Sequence, residues 1–152
     1  MTLFLSTIAF AAIVAQASPG TVRVWKSSEL HDRGATLARK LDAQKVASET
    51  IATEGNRTFM IAHREGSGTA EWHEKQADIL FISAGRLTMI HGGTIVDGKT
   101  TAPGEMRGSS IKGGTEVPMG PGDVIHIPAK VAHQMILPPG SKVTYFVTKV
   151  VQ

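Results

Sequence analysis

The sequence predicts an all-β fold, a small barrel or sandwich of short strands preceded by one short helix. Three observations carry that reading. From Lys45 onward, short alternating segments are separated by Gly, Pro and Asn, the pattern of half-buried strands joined by turns. Before Lys45, Leu30, Leu37 and Leu41 recur near helical spacing, as one amphipathic helix requires. The chain has 152 residues, 41% of them hydrophobic, enough for one modest core and no second domain.

In chain order, the first segment stands apart from that domain. "MTLFLSTIAFAAIVAQAS" holds an apolar run from Leu3 to Ala15, followed by Ala15-Gln16-Ala17. Such a run ending in a small-x-small tripeptide reads as a signal peptide over residues 1–17, although no Lys or Arg precedes it. The expectation is an exported protein, periplasmic or secreted. Residues 18–45 then form an extension carrying the helix, and residues 46–152 form the barrel. Within the extension, Ser27 or Ser28 is placed to cap a helix that has Glu29 in its first turn, runs to about Leu41 and is weakened at Gly34.

Strands are expected at roughly 46–52, 57–64, 69–74, 78–83, 86–91, 94–96, 115–118, 123–127, 132–137 and 142–150. The stretch "DGKTTAPGEMRGSSIKGG", residues 97–114, is expected to be the longest irregular loop. The free edge near residues 46–52 suits pairing into a homodimer.

Composition narrows the function. The absence of Cys removes disulfides, thiolate metal sites and a Cys nucleophile. The net charge of +3 is mild and its basic residues are dispersed from Arg23 to Lys149, so nucleic acid is not an expected partner. Beyond the leader, no apolar run is long enough to span a bilayer.

The chemistry concentrates in "AEWHEKQADILFISAG", residues 70–85. On a strand, residues two apart share a face, so Glu71 and His73 point one way and Trp72 the other. A turn over 74–77 brings Asp78 beside His73. A second segment, "GPGDVIHIPAKVAHQM", residues 120–135, turns at Pro121-Gly122 and at Pro128 and opens a strand with His133. Imidazole and carboxylate donors together suit a divalent transition metal (Mn, Fe, Ni, Zn or Cu) better than Ca or Mg. Two carboxylates buried side by side without a cation would be costly.

Around this cluster, His63 shares strand parity with Phe59 and Ile61 and is expected to point inward, as a substrate contact or a satisfied core histidine. Met135, Leu137, Tyr145 and Val147 are expected to line the barrel, with Met135 and Tyr145 facing a small-molecule ligand. His126 is expected on the exterior, His91 in a turn and His31 in solvent. Glu105 and Arg107 read either as part of a lid over the mouth or as a surface ion pair.

These two segments resemble the cupins. The first cupin motif, His-x-His, three or four residues, Glu, six residues, Gly, is matched by Glu71-x-His73, four residues, Asp78, six residues, Gly85. The second, Gly, five residues, Pro-x-Gly, two residues, His, three residues, Asn, is matched from Gly122 through Pro128 to His133. Together with "GGTIVDGKTTAPGEMRG", they are most similar to small exported single-domain bacterial cupins of unassigned activity.

The resemblance implies a double-stranded β-helix, a jelly-roll-like barrel, with a metal held by Glu71, His73, Asp78 and His133. It departs from the motifs at Glu71, Asp78, Lys130 and Leu137, where the family has His, Glu, Gly and Asn. Glu71 is then either the fourth ligand or a general base beside the metal. His73, His133 and Asp78 alone make the two-His-one-carboxylate set of many non-haem Fe(II) oxygenases. The expected function is a metal-dependent enzyme on a small organic molecule, dioxygenase-type ahead of isomerase or lyase. The alternative is a non-catalytic secreted module that binds a sugar or other small molecule.

Overall fold

The computed structural model describes residues 21–152, and the expected signal peptide lies outside the described residues. Helix α1 spans Ser27–Leu37. It starts one residue earlier than a serine cap would place it: Lys26 is the N-cap, and no side chain caps the helix. It also ends before Leu41, for a local reason. The last turn tightens into i→i+3 bonds, Arg39 N–H to Thr36 O at 3.3 Å and Lys40 N–H to Leu37 O at 2.8 Å. The Asp42 carboxylate then accepts from the Gln44 and Val46 N–H groups at 2.9 and 3.0 Å, and this side-chain turn diverts the chain into the first strand.

Thirteen strands follow among the described residues. They are β1 (Val46–Glu54), β2 (Arg57–Arg64), β3 (Ala70–His73), β4 (Gln76–Gly85), β5 (Leu87–His91), β6 (Thr94–Val96) and β7 (Lys99–Ala102). The rest are β8 (Glu105–Gly108), β9 (Ser110–Lys112), β10 (Thr115–Met119), β11 (Val124–Ile127), β12 (His133–Ile136) and β13 (Val143–Val151). One sheet has the order β1-β2-β13-β4-β11 and a second the order β10-β5-β12-β3-β8-β7, with β6 and β9 forming a separate ribbon.

The stretch from 97 to 114 is therefore a correction to the sequence reading. It contains β7, β8 and β9 rather than an irregular loop. Its strands escape a periodicity argument because β7 is exposed along its whole length and β8 is half-buried throughout, so neither alternates. The readable signal was Pro103-Gly104, a turn dipeptide between two short runs; Gly104 has φ +73°.

The sheets enclose one core. Leu80, Ile82, Val143 and Val147 from the first meet Leu87, Met89 and Met119 from the second. On the opposite face of the first sheet, Leu30 and Leu37 of α1 bury against Ile61 with Trp25, Ala47, Ile51 and Phe146 around them. Trp25 stacks obliquely on Phe59 and Phe146, with centroids 5.1 and 5.3 Å away. Burying a side chain of the size of Leu or Ile contributes about 2 kcal/mol, so α1 is held chiefly by this apolar stripe. Gly34 is the point of closest approach: a Cβ there would lie 2.6 Å from Thr144 Cγ2. The expected weak point of the helix is thus what lets it sit on the sheet.

No helix among the described residues is long and apolar enough to cross a membrane.

Candidate metal centre

Pairing geometry assembles the site from three strands of one sheet and one of the other. In the β3–β8 ladder, His73 lies opposite Glu105 and Glu71 opposite Arg107. Across the other edge of β3, His133 of β12 pairs with Glu71. Asp78 comes from β4 in the facing sheet. His73, Asp78 and His133 are all buried, while Glu71 is half-buried.

The ring nitrogens are aimed by their other halves. His73 Nδ1 lies 2.7 Å from Glu105 Oε2, and His133 Nδ1 lies 3.1 Å from the Val131 carbonyl oxygen. Each ring donates from Nδ1 and turns Nε2 inward, the arrangement that holds metal-ligating histidines in one tautomer. His73 Nε2 stands 3.6 Å from Glu71 Oε2 and 3.6 Å from Asp78 Oδ2, and His133 Nε2 stands 3.8 Å from Asp78 Oδ2. Donor atoms of Glu71, His73 and His133 all lie within 4.8 Å of one another.

These gaps exceed hydrogen bonds. They match a shared ion: two donors about 2.1 Å from one metal are about 3.4 Å apart at a tetrahedral angle. His73 Nε2 is moreover fully buried without a hydrogen-bond partner, a costly state that a cation would relieve. The residues present therefore fit a divalent metal. The two carboxylates are not equivalent within the set. Asp78 Oδ1 accepts from Gln76 Nε2 at 3.0 Å, and its Oδ2 accepts from the Lys149 ammonium at 2.9 Å. Apart from the His73 ring, Glu71 faces Arg107, also at 3.6 Å.

Proton affinities follow this pairing. Burial pushes the Asp78 carboxyl up, but the facing His73 ring and the Lys149 ammonium outweigh it and bring the value down to about 2. Burial acts against a charged His73 ring, yet Asp78 and Glu105 hold it above its ordinary value. His133 goes the other way, lowered mainly by burial. A neutral His133 beside an ionised Asp78 is what a metal needs, since its ligands must be free of protons.

Beside these groups lies a cavity of about 50 Å³ for the centres of water-sized molecules, reached by Glu71, Asp78 and His133. Met135, Tyr145 and Val147 line it as well, whereas Leu137 is core. Burial raises the Tyr145 hydroxyl, against a smaller lowering by Arg64.

His63 is elsewhere, which corrects its reading as a substrate contact. It is buried, but its strand parity is that of Ile61, which faces α1. Its ring bonds Thr144 Oγ1 at 2.8 Å and approaches Glu65 at 3.3 Å. Both faces of β2 are covered, so an apolar pattern could not say which one is the inside. His126 and His31 are exposed. His91 ends β5 half-buried and opposite His133 in the ladder, not in the turn that follows.

Sequence reasoning missed three groups at the site, Arg64, Gln76 and Lys149, and the role of a fourth, Glu105. Arg64, Gln76 and Lys149 share strand parity with inward-facing Ala62, Leu80 and Val147, which was a usable signal. Glu105 as the partner of His73 had none, because β8 was not recognised as a strand.

No family model matches the sequence, and no curated protein matches it either. Solved structures do. A cupin-2 domain protein from Rhodospirillum rubrum superposes with a TM-score of 0.53 at 15% identity, covering 72% of this chain and 62% of that one. A cupin-superfamily sugar phosphate isomerase from Silicibacter pomeroyi gives 0.50 at 17% identity, covering 71% and 60%. KdgF from Halomonas sp. gives 0.52 at 13% identity, covering 73% and 84%. The fold is that of the cupins. At such identities the likeness concerns architecture, and activity must be argued from the site.

One departure from the cupin motif can be followed into this cupin barrel. Lys130, where the family has glycine, adopts φ +67°, a left-handed conformation that costs a side-chain-bearing residue about 1 kcal/mol. Its N–H nevertheless donates to the His73 carbonyl at 2.7 Å, so the turn still braces β3 behind the site.

Proposed function

We propose that the protein is a divalent-metal-dependent enzyme acting on a small organic molecule, with the ion held by Glu71, His73 and His133. The observation that carries this reading is the buried, partnerless His73 Nε2, which faces Glu71 and Asp78 at the spacing of a shared ion. Asp78 already accepts from Gln76 and Lys149, which leaves lone pairs for a fourth, weaker donation, so the basic set is two histidines and one carboxylate.

Fe(II) in such a set supplies oxygen activation, and Mn, Ni or Zn supplies Lewis acidity. That donor set favours dioxygenase-type chemistry. A second reading, isomerase or lyase, rests on Lys149 and Tyr145, two proton-carrying groups on the wall of the same cavity. In that reading Asp78 and the two histidines hold the ion and Glu71 is the general base. Export is proposed from the leader alone. A homodimer is proposed from the edge position of β1 and from the exposed Ile79, Phe81 and Val124.

The test is elemental analysis of the protein purified without chelator, beside His73→Ala and His133→Ala. Near-stoichiometric metal lost in both variants is the expected result, followed by oxygen-uptake assays for iron or proton-exchange assays for Mn, Ni or Zn. Failure to take up any of these metals would leave a non-catalytic binding barrel as the better account.

A further inference from the structure

We infer that the ligand of this cavity is a short-chain carboxylate, anchored through its carboxylate group by Arg64; the inference rests on the metal site proposed above. Arg64 ends β2 on the inward parity of Met60 and Ala62, which pack in the barrel core. It lines the same cavity as Glu71, Asp78 and His133. Its Nε is buried without a hydrogen-bond partner. Its bond to the Gly66 carbonyl is long, 3.5 Å.

Charge matching singles this side chain out. Lys149 is paired with Asp78 at 2.9 Å, and Arg107 with Glu105 at 3.1 Å and Glu71 at 3.6 Å. Among the described residues, no carboxylate lies within ion-pair distance of Arg64. Glu71, Asp78 and Glu105 balance Arg64, Arg107 and Lys149 in number, so a divalent ion adds two positive charges that the protein does not cancel. A guanidinium whose Nε–H is free and whose Nη1 is only weakly held can present the planar fork that matches a carboxylate. The space for the centres of water-sized molecules, about 50 Å³, suits a ligand of a few heavy atoms at the buried end. Arg64 and the proposed ligands Glu71 and His133 border this one cavity.

The test is calorimetric titration of pyruvate, its neutral isostere pyruvamide, and inorganic phosphate into the full chain, both metal-free and zinc-loaded. Pyruvate is expected to bind at least about tenfold more tightly than pyruvamide, the size of one charge-assisted pairing. Arg64→Met should remove that preference with its metal content unchanged. Arg64→Lys, which keeps the charge and loses the fork, should fall between them and serves alone if Arg64→Met does not fold.

Equal binding of pyruvate and pyruvamide would overturn the inference, as would a preference that survives both substitutions or phosphate binding as tightly as pyruvate. If zinc is taken up and the preference does not depend on Arg64, the inference fails and the metal centre stands. If no metal is taken up and the preference is still lost with Arg64, the anchor stands and the metal centre fails.

Discussion

His63 and His73 are almost equally withdrawn from water, 5% and 3% exposed, yet their rings differ in what they leave unsatisfied. His63, beneath α1, has Thr144 at one nitrogen and Glu65 at the other. His73, at the barrel cavity, has Glu105 at one nitrogen and no partner for the second, which faces two carboxylates. Burial alone therefore does not mark a functional histidine. An unpaired polar atom held in place by its neighbours does, because leaving it unpaired is expensive unless something binds there.

The sharpest way to break this contrast is to truncate each ring. His73→Ala should abolish metal uptake, whereas His63→Ala should leave it stoichiometric and lower unfolding stability by about 1–3 kcal/mol, the cost of stranding the Thr144 hydroxyl. Metal content and urea unfolding, measured on both variants, decide it. If His63→Ala also emptied the site, the two histidines would not be separable in this way.

A smaller effect should come from the partner that aims His73. Glu105→Gln retains a hydrogen-bond acceptor for Nδ1 and removes the charge, and it should weaken metal binding by about 10–100-fold without changing the folded structure. Competition against a chromophoric chelator measures this; unchanged affinity would reduce Glu105 to a surface partner of Arg107.

The smallest effect is a pH dependence in the metal-free protein. Asp78 has its value depressed from 3.8 to about 2, so the unfolded chain binds more protons in that interval. Its stabilisation is complete above 3.8 and lost as pH falls through 2, a loss of about 2 kcal/mol. His73, raised above 6.5, contributes fully below 6.5 and loses its contribution as pH rises through its raised value. Both shifts describe largely one pairing and are not summed. Urea midpoints should therefore peak in weak acid, and Asp78→Asn should flatten the acid limb. An unchanged acid limb in that variant would remove Asp78 as its source.

Much of the fold was legible because strand periodicity is a local property. Alternation placed β1, β2, β5 and β13 within a few residues, and the spacing of Glu71, His73, Asp78 and Gly85 anticipated two strands either side of a turn, although β3 and β4 belong to different sheets and do not pair as a hairpin. Gly85 shows why that spacing is demanding: with φ +82°, a Cβ there would meet the Lys142 carbonyl oxygen at 2.0 Å. The edge strand β7 and its neighbour β8 were not legible, since strands exposed or half-buried along their whole length leave no alternation to read.

By itself, the sequence determined the two faces of each strand and therefore which residues travel together: Glu71 with His73, Tyr145 with Val147 and Lys149, His63 with Ile61. Only the tertiary structure decided which face is the inside, because α1 buries one side of β2 and the barrel buries the other, and both carry apolar side chains. It also decided the long-range pairings, Glu105 onto His73 and Lys149 onto Asp78. These join residues 32 and 71 positions apart, and a two-residue period holds no information about which strand lies next to which.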